Sequence, residues 1–88
     1  MFEFDADKSA ANFAKHGIDF ETAQALWFDD RRIVGPAISD EEVRSMVIGL
    51  IDNKLWAAAI TYRGEAIRII SVRRARPKEV RQYEHQDD

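Results

Sequence analysis

Four arginines, Arg63, Arg68, Arg73 and Arg74, stand among isoleucines and valines in the stretch Ile60 to Arg74, ITYRGEAIRIISVRR. A guanidinium keeps its charge at any working pH and grips phosphate through paired N–H donors. Such a set suits RNA cleavage without a metal. The 2′-hydroxyl attacks the adjacent phosphate, arginines stabilise the developing charge, and a further side chain moves protons. Other chemistries find little support. The chain has no cysteine, hence no disulfide and no thiolate chemistry. Its two histidines, His16 and His85, are far apart and lack the spacing of a metal site. No Gly-rich phosphate loop and no Ser-His-Asp arrangement is legible, and no cofactor or metal is expected.

Each candidate also has a plain structural reading. Lys15 and His16 precede Gly17, where cations favour a helix C-terminus and glycine ends it. Tyr83 suits a core anchor whose hydroxyl reaches the surface. Arg63 and Arg73 are equally able to form salt bridges with Glu42, Glu65 or Glu79, and Trp27 and Trp56 read as core.

These residues need elements to hold them. Phe2-Glu3-Phe4 alternates as a short edge strand would. Asp5 or Asp7 offers an N-cap to a helix from Lys8 to His16, with Ala10, Phe13 and Ala14 on its buried stripe and Lys8, Asn12 and His16 stacked along another face. Asp19 caps a short second helix that buries Phe20, Ala23, Leu26 and Trp27, with Ile18 and Ala23 as a staple, and ends near Asp29. Strands follow at Arg32 to Ala37, Arg44 to Ile51 and Leu55 to Arg63, with a polar loop at Ser39 to Glu42 and a turn at Asp52-Asn53-Lys54. A hairpin partner of the last strand runs to Arg74. Pro77 at N1 and Glu79 at N3 open a final helix. The fold class is α+β: two N-terminal helices, a four-stranded mainly antiparallel sheet and a C-terminal helix, in one domain spanning 1–88.

The hairpin sets which arginines share a face. A three-residue loop, Gly64-Glu65-Ala66, pairs Arg63 with Ile67, Thr61 with Ile69, Ala59 with Ser71 and Ala57 with Arg73. One face then carries Thr61, Arg63, Ser71 and Arg73 over small alanines. The other carries Arg68 and, by parity, Arg74, as rim or structural charges unless a bulge turns them. A two-residue loop would slip this register.

The 88 residues carry a net charge of −3, unevenly spread. Residues 1–43 hold ten acids against four bases, and residues 44–81 hold nine bases against three acids. Either the basic half awaits an anionic partner or the halves neutralise each other across the fold. No apolar run reaches the ~18 residues of a membrane span and the start, MFEFDADK, lacks the h-region of a signal peptide, so a cytoplasmic protein is expected.

Several stretches together resemble the BrnT family of type II toxins. They are Phe4-Asp5 with Lys8, Asn12, Lys15-His16-Gly17, Phe20, Ala23 and Phe28-Asp29; Glu42-Val43-Arg44 leading to Ile48-Gly49; and Thr61-Tyr62-Arg63, Arg68-Ile69-Ile70-Ser71 and Arg73-Arg74-Ala75, closed by Glu79 and Tyr83. The resemblance implies a RelE-like ribonuclease fold, cleavage of RNA and arrest of translation and growth. It implies neutralisation by a BrnA-like ribbon-helix-helix antitoxin, through which operator DNA is bound indirectly. On that analogy Arg63 and Arg73 hold the scissile phosphate, and Lys15, His16 or Tyr83 assists proton transfer. Arg44, Thr61 and Arg68 position RNA, with Ser71 and Arg74 as further contacts. The competing reading is a non-catalytic module that binds nucleic acid or protein through the same basic hairpin.

Overall fold

The computed structural model describes residues 1–37 and 43–86. The expected loop at Ser39 to Glu42, and with it Glu42 as a partner for the arginines, lies outside the described residues. The elements in chain order are β1 (Phe2–Glu3), α1 (Ala6–His16), α2 (Phe20–Ala23), a 3-10 turn (Gln24–Phe28), β2 (Ile33–Ala37), β3 (Arg44–Ile51), β4 (Lys54–Arg63), β5 (Ala66–Arg74) and α3 (Pro77–Glu84). The class is α+β, but the sheet has five strands in the order β1-β5-β4-β3-β2 and is mixed. β1 joins it in parallel with β5, pairing Phe2 with Ile67 and Glu3 with Arg68. The second helix is shorter than its apolar stripe suggested, because the chain tightens into 3-10 geometry after Ala23.

One sheet face makes the main core. Trp56, Ala58 and Ile60 of β4 alternate inward beside Val47 of β3 and Ile69 and Val72 of β5. Ile18, Phe20, Ala23 and Leu26 cover them. The opposite face carries a smaller cluster, Ile48, Ala57 and Tyr83, the last delivered by α3. The sheet therefore separates α2 and its 3-10 continuation from α3.

α1 departs from its expected burial. Phe13 is 58% exposed, Ala10 and Ala14 are also exposed, and the residues it buries are Ser9 and Asn12. The reason is where it lies. Asn12 donates from Nδ2 to the carbonyls of Val72 (2.9 Å) and Ile18 (2.8 Å), and its Oδ1 accepts the Val72 N–H (3.2 Å). Its amide does for the outer edge of β5 what another strand would do, since β1 pairs only with residues 67 and 68. Ser9 Oγ accepts the Phe20 N–H at the start of α2. A helix seated on a sheet edge needs hydrogen-bonding groups there, not a greasy stripe. Asp5 caps α1 through the Asp7 and Lys8 amides, and Gly17, at φ 81°, closes it by donating to Phe13.

Candidate nucleic-acid interface

The hairpin between β4 and β5 decides which cations meet. Its turn is two residues, Gly64-Glu65, with Arg63 opposite Ala66, not the three-residue loop expected. Gly64 sits at φ 59°, the left-handed value such a turn needs at its first position. From the turn, Tyr62 pairs with Ile67, Thr61 with Arg68 and Ile60 with Ile69. Ile70 is then an extra residue, and beyond it Ala59 pairs with Ser71, Ala57 with Arg73 and Trp56 with Arg74. The short turn and the bulge together offset the strands as a three-residue loop would. The distal pairs are therefore the expected ones, and the pairs near the turn are shifted by one.

The bulge moves Arg68. Paired with Thr61, it stands on the face of Thr61 and Arg63, not on the opposite face assigned by simple alternation. Ser71 and Arg73 share that face, opposite Ala59 and Ala57. Arg74 remains on the other side, apart from the rest, stacked 5.4 Å from the Trp56 ring and donating to the Leu55 carbonyl. Arg44 belongs to the same face as Arg63 and Arg73, since it alternates with Met46 and Ile48, which lie opposite Ala59 and Ala57.

Two carboxylates hold these guanidinium groups. Glu3 Oε1, out of contact with solvent and without a hydrogen bond among the described residues, lies 3.6 Å from Arg68 Nη1 and 3.8 Å from Arg63 Nε. The Arg63 side chain is nevertheless 61% exposed. Arg73 is gripped end-on by Glu79, Nη1 to Oε1 at 2.7 Å and Nη2 to Oε2 at 2.9 Å. That pair draws the Glu79 carboxyl below its usual range, and the hydrogen bonds raise the Arg73 guanidinium further above its own. Nη1 also donates to the Arg74 carbonyl. Of five guanidinium donors three are thus used, and Nε–H with the remaining Nη2–H forms a second fork, side-on, without a partner among the described residues. Glu79 Oε1 also accepts the Arg76 N–H at the start of α3. Arginine has no acceptor, so only this half of a capping box is made.

Beside these groups a cleft of about 770 Å³ opens between the sheet and α3. Ile33, Gly35 and Met46 line its floor, with Arg44, Arg73, Arg76 and Lys78 among its walls. Arg76, Lys78 and Gln82 were missed in the sequence. The available signal was Pro77 at N1, which fixes the helix phase and puts Lys78 and Gln82 one turn apart on one face.

Other candidates are used elsewhere. Thr61 Oγ1 donates to the Val43 carbonyl at 3.1 Å and is buried. Ser71 is exposed. Tyr83 is 6% exposed and donates to Asp29 Oδ2 at 2.6 Å. Burial, and then this bond to a carboxylate, push its hydroxyl up to about 12. Burial works to raise Asp29 too, but hydrogen bonds from Tyr83, Leu50 and Arg31 prevail and hold it below its ordinary value. Tyr83 is an anchor for α3, poorly suited to exchanging protons at neutral pH. Lys15 and His16 end α1, the helix on the β5 edge that packs with α2 beneath the main core. Among the described residues no hydrogen bond or ion pair joins Lys15 or His16 to Arg63, Arg73 or Tyr83, although Asn12, one turn before His16, bonds Val72 beside Arg73.

What the face offers is therefore a group of arginines with exposed or partly exposed heads, an open cleft, and a helix start carrying two more cations. With this geometry in place, comparison of the sequence with known families is decisive. The model of the ribonuclease toxin BrnT of type II toxin-antitoxin systems matches residues 4–79. The chain belongs to the BrnT family. The match begins just after β1 and takes in α1 through the start of α3, including every arginine of the candidate face and Glu79. Comparison with individual curated proteins gave no match. A BrnT-family toxin of a type II system implies an antitoxin partner. Among the described residues, no helix is long and apolar enough to cross a membrane.

Proposed function

We propose that this chain is a metal-independent endoribonuclease toxin that arrests translation and growth in the cytoplasm, and that a BrnA-like ribbon-helix-helix antitoxin neutralises it. The observation that carries this reading is the sheet face shared by Arg63, Arg73 and, through the β5 bulge, Arg68, with Arg73 lining the cleft under α3. Family membership supports the reaction class.

The scissile phosphate rests against the side-on fork of Arg73, and Arg63 and Arg68, five and more residues farther along the strands, neutralise phosphates beyond its immediate neighbours. As the 2′-hydroxyl attacks phosphorus and loses its proton, the bond to the 5′-oxygen breaks, that oxygen leaves protonated, and negative charge grows on the non-bridging oxygens. Guanidinium groups already fixed in place stabilise that charge without reorganising. Glu79 acts as the positioning residue that holds Arg73. We assign no side chain to proton transfer. Charge stabilisation is the contribution of the arginines.

Inducing the chain alone should stop growth, and Arg63→Ala or Arg73→Ala should relieve the arrest while circular dichroism reports a folded protein. If both variants stay fully toxic, this face is not the active site. Purified protein should cleave RNA in EDTA. Loss of cleavage on chelation, restored by a divalent ion, would reject metal independence. Tight, salt-sensitive binding with RNA left intact would favour a non-catalytic binding module.

A further inference from the structure

Within the cleft, one polar side chain differs in kind from the rest. Arg44, Arg73, Arg76 and Lys78 are cationic and Glu79 is committed to Arg73, but Gln82 is a neutral amide. Among the described residues it makes no hydrogen bond, and it is exposed on α3 at the cleft wall. Among the described residues the floor below it carries no competing polar side chain: Gly35, Met46 and Ala59 lie there. Gly35 pairs with Met46, which pairs with Ala59, so the three form a rung across β2, β3 and β4. Two of them are small, which gives the cleft its depth. The third presents a polarizable thioether of the kind that packs well against flat rings. A volume of about 770 Å³ falls within the ~300–1,000 Å³ of small-molecule sites and accommodates a nucleotide.

Cations around the rim, a flat apolar floor and one neutral amide are the parts of a nucleotide subsite. Cations hold phosphates without regard to sequence, whereas an amide that both donates and accepts reads a base edge. We propose that the cleft takes one unstacked base of the RNA on the Gly35–Met46–Ala59 floor and that Gln82 reads its edge, selecting adenine. Adenine presents a donor at N6 beside an acceptor at N7, the complement of a carboxamide. Single-stranded RNA supplies such bases because they can be splayed out of the stack. The proposal rests on the ribonuclease reading and names the specificity of that same site.

The test is to map cleavage sites in a random-sequence RNA pool for the wild type, Gln82→Ala, Gln82→Glu and Lys78→Ala. The wild type should enrich adenine at one position next to the cut, on the order of tenfold. Gln82→Ala should flatten that enrichment. Gln82→Glu, which accepts but cannot donate, should shift it toward cytosine, whose N4 is a donor. Lys78→Ala should slow cleavage at all sites alike. An identical site profile in wild type and Gln82→Ala overturns the proposal. If the wild type cleaves nothing, the ribonuclease reading has failed, and binding of oligoadenylate against oligouridylate decides the subsite separately. A preference for oligoadenylate lost in Gln82→Ala upholds it; no preference, or one the variant retains, overturns it.

Discussion

At the scale of single residues, the proposed phosphate-binding groups and the anchoring groups are distinguished by what already holds them. Arg63 is mostly exposed and only loosely paired with Glu3, while Tyr83 is buried against Asp29 at 2.6 Å. The Tyr83 hydroxyl, raised by burial from 10.0 to about 12, links stability to pH. A tyrosine whose folded value exceeds its unfolded one favours the folded state fully below the unfolded value. That preference disappears as pH rises from about 10 through 12. A rise of that size corresponds to about 2–3 kcal/mol. Denaturant titrations from pH 8 to pH 12 should therefore show stability falling across that window. Tyr83→Phe should be about 1–2 kcal/mol less stable at neutral pH, because Asp29 loses a donor, and its alkaline decline should be smaller. An unchanged decline in the variant would mean another group controls it. The pairing of Tyr83 with Asp29 was not legible in the sequence: the two are 54 positions apart, and only the packing of α3 beneath β3 joins them.

Among the elements, α1 and β5 each depart from a simple period for a physical reason. The strands were readable from their Val and Ile content, and the helix ends from Asp5, Gly17, Asp19 and Pro77, because each of those signals acts within a few residues. The face of Arg68 was not readable, since it depends on a bulge. A trace of that bulge does exist in the core residues of β5: Ile67, Ile69 and Val72 are spaced by two and then by three. α1 was misjudged because amphipathicity assumes a helix lying on a core, and this one lies on an edge. Its buried Asn12 bonds both backbone groups of Val72 and the Ile18 carbonyl. Asn12→Ala should strip three backbone groups of their partner and cost about 2–4 kcal/mol, measured by urea unfolding. Asn12→Asp should do no better, because a carboxylate cannot donate to the two carbonyls. A loss below about 1 kcal/mol would mean that water or the strand itself satisfies Val72.

For the whole molecule, the question is how a chain of net charge −3 would hold the RNA proposed as its substrate. Part of the answer is that acids and bases are used on different sides. Asp5 and Asp19 are spent as helix caps, each drawn below its usual value first by backbone amides, and both belong to the α1–α2 side. Arg63, Arg68, Arg73, Arg76 and Lys78 border the face shared by the sheet and α3, where among the described residues Glu3 and Glu79 offset part of their charge. Net charge therefore understates the local field that a phosphate chain meets. Because that field is local, binding should follow the number of phosphates engaged at this face. For single-stranded RNA, each phosphate contact contributes about −0.7 to the slope of log affinity against log salt. Arg76→Ala with Lys78→Ala should make the slope shallower by about 1.4 and weaken binding most at low salt. Asp19→Asn changes net charge on the far side of the sheet and should leave the slope as it was. Filter binding of a fixed oligoribonucleotide between 50 and 300 mM salt, a range of about sixfold in which screening changes strongly, measures all three. A slope that tracked net charge, with Asp19→Asn as effective as losing a cleft cation, would show that RNA is held by diffuse attraction and not at the face between the sheet and α3.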